Sequence, residues 1–214
     1  MDSSTPSNPS TQADRILAAA EEIFAEEGFA GARVDEIARR AAVNKAMLYY
    51  HVGDKAAIYE RVLSLYFNKL AAKIGQAIEG VTDPAERLRK LQAVFAAVAT
   101  EHPSFPHIML REIAGGASSL PDNALQGIAR LVGVTAQVVE EGRDEGVFRR
   151  DVNPLVTHIL VVGSVIFAAN GMRLLERLKQ SGVAPPNADL DLSEVARSAS
   201  DIILNGITLS GGKS

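Results

Sequence analysis

The stretch RVDEIARRAAVNKAMLYYHVGDKAAIY, Arg33 to Tyr59, decides the fold of this chain. Its first piece, Val34 to Ala41, places Asp35 and Glu36 where a helix dipole favours acids, with Ile37, Ala38 and Ala41 on one inward stripe. Ala41-Ala42-Val43 reads as a tight turn. Asn44 is then a good N-cap for a second helix of about two turns, Lys45 to His51. Leu48 points inward there, while Lys45, Ala46, Tyr49, Tyr50 and His51 crowd the other faces. Gly53-Asp54 stops that helix and caps a third, with Lys55 in its first turn. A short helix with so few inward residues is poor core material. It suits a DNA major groove, which is wide enough to admit one helix.

Ile37-Ala38, Ala42-Val43, Leu48-Tyr49-Tyr50-His51 and Asp54-Lys55 together resemble the helix-turn-helix signature of the tetracycline-repressor (TetR) family of transcriptional regulators. Within it LYYHV, Leu48 to Val52, is an especially close match to the family's recognition helix. The resemblance spans residues 14–60 and has three departures. Arg33 and Val34 stand where members often carry Ser or Thr, Ala42 replaces the usual turn glycine, and Ala46-Met47 stand where Gly or Pro followed by Thr is common. The resemblance implies an all-α chain in two parts: a helix-turn-helix head at 11–53, continued by the start of a fourth helix at 54–60, and an effector-binding and dimerisation domain at 61–214. It places Tyr49, His51 and Lys55 against phosphates, and Lys45, Ala46 and Tyr50 near base edges. Arg33, Val34 and Asn44 join the same interface, with Arg33 either replacing the missing hydroxyl contact or standing as a surface charge.

Composition is consistent with this. The 214 residues suffice for one large or two modest domains, and 47% hydrophobic residues supply a sizeable core. Zero cysteines exclude disulfides and thiolate sites and are compatible with a cytoplasmic protein. Residues 1–10, MDSSTPSNPS, lack the basic and apolar regions of a signal peptide and read as a disordered arm. The net charge of −4 at first counts against nucleic acid. Its distribution matters more: Arg33, Arg39, Arg40, Lys45 and Lys55 oppose only Asp35, Glu36 and Asp54 across the motif, while Asp14, Glu21, Glu22, Glu26 and Glu27 lie in the first helix. A local basic face with weak non-specific binding is expected.

Outward from the motif, Thr11 with Asp14 opens a first helix that ends at Gly28. Asp54 to Glu79 has few breakers, and such a helix spans roughly 39 Å, enough to belong to both head and body. Asp83-Pro84-Ala85-Glu86 opens another helix. His102 to Gly116 is expected to be irregular at its start because of Pro103 and Pro106. Further helices are expected from Asp122 to Glu145, from Pro154 to Gln180 and, after the cap at Asp191, through Ile207. The run ILVVGSVIFAA at 159–169 is short of the ~20 apolar residues of a membrane span. With His158 before it and Asn170, Arg173, Glu176 and Arg177 after it, it reads as a soluble helix buried on several sides, and no membrane partner is expected.

No catalytic constellation is visible: HExxH, GxSxG and GxxxxGK[ST] are all missing, and His102, His107, His158 and Glu112 lack a diagnostic metal-ligand spacing. No cofactor is expected. By the family resemblance the body binds a small apolar or amphipathic effector. Phe95, Phe105, Met109 and Phe167 are its candidate apolar walls, although each alone reads as core packing, and His107, Arg111, His158 and Asn170 are its candidate polar groups. A two-turn helix reads too few bases alone, so a homodimer on a palindromic operator is expected, with Val195, Ala199, Ile202 and Ile203 at its interface. The sign of regulation is expected to be repression, with release by the effector. A constitutive DNA-binding protein and a helical enzyme are the alternatives; the large apolar body opposes the first and the missing constellation the second.

Overall fold

The computed structural model describes residues 11–185, 189 and 191–209. The arm expected at 1–10 lies outside them. Among the described residues there are nine helices: α1 (Gln12–Gly31), α2 (Val34–Arg40), α3 (Lys45–Val52), α4 (Lys55–Ile78), α5 (Pro84–Glu101), α6 (Ser104–Ala114), α7 (Asp122–Asp144), α8 (Pro154–Gln180) and α9 (Leu192–Ile207).

The capping chemistry falls where the sequence places it. Thr11 and Asp14 form a reciprocal capping box, Asn44 accepts from the Met47 N–H at 2.8 Å, and Asp54 accepts from the Ala57 N–H at 2.9 Å. Asp83 and Asn153 each cap a helix whose first residue is proline, a position with no intrahelical N–H bond to lose. The same reasoning corrects the expectation for the segment after His102. Pro103 precedes a regular helix, and Pro106 sits in its first turn, where N–H groups have no partner within the helix anyway. Helix α1 is kinked rather than ended at Gly28, whose φ of 71° only glycine adopts without cost, and resumes to Gly31. Between α2 and α3, Ala42 takes a φ of 54° in place of the usual glycine. The turn closes by Val43 N–H to Ala38 O at 3.0 Å.

Helices α1–α3 pack around Ile16, Ala20, Ile23, Ile37 and Leu48, all fully buried. Helix α4 runs from this head into the body, burying Ile58, Val62 and Leu63 and then Phe67, Leu70 and Ile74. Helix α6 packs on both α1 and α8, and α9 on both α5 and α8. The chain after α9 is held by Arg149 N–H to Ile207 O at 2.8 Å and Leu209 N–H to Val147 O at 3.0 Å.

Helix α8 departs from expectation. It is long and apolar enough to cross a membrane by length and composition, yet only 28% of its most apolar window is buried within the chain. Val156, Leu160, Phe167 and Leu174 recur at helical spacing and are all exposed, with Leu155 and Ile159 beside them. The helix is therefore buried along one stripe, not on several sides.

Close packing leaves no room at two glycines of α7. A Cβ on Gly127 would stand 2.6 Å from Phe67 Cγ, and one on Gly142 would clash with the Cδ2–Cε2 edge of the fully buried Phe148 ring. Gly133, on the same helix, faces open space. Gly142→Ala should destabilise the protein by about 1–3 kcal/mol in urea denaturation, through overpacking. Gly133→Ala should gain up to about 1 kcal/mol from helix propensity alone. Equal effects would show that the Phe148 contact does not constrain the helix.

Candidate nucleic-acid interface and internal cavity

Helix α3 is anchored by Leu48 and Val52, both buried, and offers the rest of its surface to solvent. Tyr50 is 83% exposed and Tyr49 45%. Ala46 is exposed at the N-terminal turn beside Lys45. The Lys45 ammonium meets Asp35 at 2.8 Å, a hydrogen bond that raises its pKa. Both partners are largely exposed, so the pair is weak and Lys45 can exchange it for another acceptor. His51 is half-buried; its Nε2 lies 2.7 Å from Gln12 Oε1, and its ring stands edge-on to Tyr50. Arg33 is exposed and makes no ion pair among the described residues.

Three of the expected DNA-facing residues are differently occupied. The Asn44 side-chain oxygen is committed to the cap of α3. Val34 is half-buried and packs on the core, leaving only its backbone for a phosphate. Lys55, expected on phosphate, turns inward: its ammonium donates to the carbonyls of Phe29 at 2.8 Å, Ala32 at 3.1 Å and Ala30 at 3.4 Å, and sits 4.6 Å from the centre of the Phe29 ring. Its three donors close the end of α1. Arg40 likewise bridges Glu22 and Glu26 of α1, so acids expected merely to face away from DNA hold α2 in place.

In the body, a cavity of about 450 Å³ lies among α4 to α8. Phe95, Phe105 and Met109 line it, together with Phe67, Leu131 and Val162. Among the described residues its one titratable lining group is His158, whose Nδ1 lies 2.9 Å from the hydroxyl of buried Thr135. The other expected wall residues lie elsewhere. Phe167 is 76% exposed on the outer stripe of α8. Asn170 donates to Pro106 O at 3.0 Å and Ile166 O at 2.8 Å, joining α8 to α6. His107 lines a small separate cleft with Glu22 and Arg173. Arg111 donates to the carbonyls of Ala25, at 3.0 Å, and Glu26. Asn170 and Arg111 are absorbed by helix–helix contacts, which single-sequence spacing cannot distinguish from a cavity wall. A larger groove of about 810 Å³ between α5 and α9 has a floor of Ala93, Ala96, Ala97 and Ala196 and a charged rim that includes Glu86, Arg89, Lys90, Glu101 and Arg197.

Comparison with known proteins agrees with this geometry. Residues 16–62 match bacterial regulatory proteins of the tetR family, and residues 84–198 match the tetracyclin repressor-like C-terminal domain. The chain belongs to the TetR family. It is a DNA-binding transcriptional regulator and not an enzyme. It is 32% identical to the transcriptional repressor NicS of Pseudomonas putida, over 75% of this chain and 76% of that protein. It is 26% identical to the repressor KstR2 of Mycolicibacterium smegmatis, over 97% and 96% of the two chains. The structure of the ketosteroid regulator KstR2 of Mycobacterium tuberculosis has the same fold, with a TM-score of 0.75, 21% identity, and coverage of 95% of this chain and 98% of that one.

Sequence reading missed the residues that join this TetR-family head to its body. Tyr59 of α4 donates to Glu112 of α6 at 2.6 Å, both buried. Burial, then the neighbouring Glu112, pushes the Tyr59 phenol far above its usual range, so it remains a donor. Gln12 behind His51, Arg61 donating to His51 O at 2.9 Å, and Thr135 behind His158 were equally silent. The one available signal was the i, i+1 pair Arg111-Glu112 on an otherwise apolar helix.

Two outcomes follow from these placements. Lys55→Ala should lower stability by about 1–3 kcal/mol, by stranding helix-end carbonyls, while leaving the salt slope of DNA binding unchanged; a slope lower by about 2 for a dimer would return Lys55 to the phosphates. Burial holds His102, His107 and His158 below the ordinary histidine value of 6.5. Above that value they contribute no pH dependence. As pH falls through it the unfolded chain binds protons that the folded chain refuses, so stability should drop. Urea midpoints measured from pH 7.5 to 5.0 test the sign, and a midpoint rising on acidification would contradict it.

Proposed function

We propose that this regulator is a homodimeric repressor which binds a palindromic operator and is released by a small, largely apolar effector held in the α4–α8 cavity. The observation that carries the effector part is that α6 belongs to two places at once. Phe105, Pro106, Met109 and Ile113 wall the cavity. From the same helix, Arg111 grips the last carbonyls of α1 before its kink and Glu112 receives the Tyr59 hydroxyl of α4. A ligand that moves α6 therefore pulls directly on the DNA-binding head. The coupling required is modest, about 1–3 kcal/mol for a 5–150-fold change in operator affinity. Similarity in fold to a ketosteroid regulator supports an apolar effector, and two relatives described as repressors support the sign.

The dimer is supported by the outer stripe of α8 and by Ile202 of α9. Val156, Leu160, Phe167, Leu174 and Ile202 form an apolar surface larger than scattered exposed residues require. Pairing α8 and α9 with their twofold mates would cover it as a four-helix interface. Ala199 and Val195 are half-buried on the same helix, whereas Ile203 is 8% exposed and faces its own body. Such a dimer would present two copies of α3 to half-sites one turn, ~34–36 Å, or a multiple apart. Lys45, Ala46 and Tyr50 would then read bases, Tyr49, His51 and Arg33 would meet phosphates, and the protein would work in the cytoplasm.

A footprint on the DNA upstream of its own coding sequence tests the operator reading; protection without twofold symmetry would refute it. The interface is tested by Ile202→Asp, which places a carboxylate on the apolar stripe while sparing the buried Ile203. Sedimentation should show monomers, operator affinity should fall at least tenfold, and circular dichroism should retain the helices. A variant that stays dimeric and binds normally removes Ile202 from the interface.

A further inference from the structure

The effector reading leaves the chemistry of the effector open, and the cavity wall narrows it. Its lining is apolar except at His158; Lys, Arg, Asp and Glu are absent from it among the described residues. Behind the imidazole, the Thr135 hydroxyl has one hydrogen and two neighbours. It donates to Leu131 O at 3.2 Å, the back-bond one turn down its own helix, and lies 2.9 Å from His158 Nδ1. When that hydrogen goes to the carbonyl, the hydroxyl accepts from the ring and the Nδ1–H is donated to it; were it given to Nδ1 instead, the ring proton would sit on Nε2. The back-bond arrangement is the one on which the proposal below rests. Nε2 is then a lone-pair acceptor with no partner among the described residues, on a ring that lines the cavity and stands edge-on to Phe95.

Resting on the effector reading above, we propose that the cavity selects an uncharged apolar molecule carrying a hydrogen-bond donor, such as a hydroxyl, which His158 Nε2 accepts and Thr135 orients. An anionic head has no cation in the wall to meet it, and the neutral ring would present it a lone pair. A molecule with no donor would leave Nε2 desolvated and unpaired, which costs affinity. Burial keeps the imidazole neutral at physiological pH, in accord with an acceptor role. Thr135 is a positioning residue here: it does not line the cavity and acts only by setting which nitrogen carries the proton.

The full-length protein is tested with three linear ten-carbon probes: 1-decanol, its isomer nonyl methyl ether, and decanoate. Calorimetric titration at pH 7.5 and thermal shift give the affinities. The alcohol should bind about tenfold more tightly than its ether, which keeps an oxygen but has no donor, and at least tenfold more tightly than the carboxylate. His158→Phe should make alcohol and ether equal, with ether affinity retained. Thr135→Val, nearly isosteric, should shrink the same preference by freeing the tautomer, and His158→Gln should restore part of it through its amide oxygen. Alcohol and ether binding equally to the unaltered protein, or decanoate binding best, would overturn the donor inference while leaving the effector cavity standing. Failure of all three probes to bind would overturn both.

Discussion

The carbonyls at the end of α1 are the constraint on which the arrangement of head and body depends. Gly28 breaks the helix with a left-handed φ, and the chain leaves acceptors on both sides of the break. Two cations from outside the helix satisfy them: Arg111 of α6 takes Ala25 O and Glu26 O, and Lys55 of α4 takes Phe29 O, Ala30 O and Ala32 O. Positive charge is favoured at a helix C-terminus by the dipole as well as by the hydrogen bonds. The aromatic group of Phe24, Phe29 and Tyr59 fills the space beneath, with ring centres 4.7 Å apart for Phe24–Tyr59 and 5.0 Å for Phe29–Tyr59. From there the Tyr59 hydroxyl reaches Glu112. The head is thus clamped chiefly to α4 and α6, and its orientation follows theirs.

Charge in the head is arranged around the same economy of partners. Arg39, Arg40 and Lys45 each have an acid within reach, and Arg40 alone spans two acids of α1. The surface pairs of Arg39 and Lys45 are worth little in water, so phosphate or a base edge can displace the acids at small cost. Arg40 is different: only 28% exposed and held by carboxylates of another helix, it fixes α2 rather than serving DNA. A head of this kind leaves Tyr49, Tyr50 and the first turn of α3 as its exposed face. It also explains how a chain of net charge −4 can carry a DNA-binding head.

How much was legible in the sequence follows from the range of each signal. Caps and breakers act within four residues, so Thr11–Asp14, Asn44, Asp54, Asp83 and Asn153 located the helix starts directly. Pro106 misled because proline's effect changes sign between a helix interior and its first turn. The recognition helix was legible because turn geometry and helix length are local, too. The cavity was legible only as apolar composition: Phe95, Phe105, Met109 and His158 line it, but Phe167 turned out on the outer stripe of α8. Residues such as Lys55, Arg111 and Asn170 were misplaced for one reason. Each satisfies backbone carbonyls on another element, and acceptors of that kind leave no mark on sequence.

Helix α8 gives the proposed mechanism its fixed reference. Val162 and Ile166 face the cavity, Val156, Leu160 and Phe167 form the outer stripe on a neighbouring face, and Ile159 lies between the two. If the outer stripe is locked against a twofold mate, α8 cannot yield when the cavity fills, since a close-packed interface resists displacement. Behind its inner side, Gln92 is fully buried and bonds both Ser164 of α8 at 2.9 Å and Ser200 of α9 at 2.7 Å, which ties α5 to the same frame. The walls outside that frame are α7 and, next to the head, α6 and α4. Helices α6 and α4 hold the carbonyls at the end of α1 and the Tyr59–Glu112 bond. In the proposed dimer, filling the cavity from a rigid side would direct the displacement towards the head, and a change of α6 would be passed to both copies of α3, related by the twofold axis.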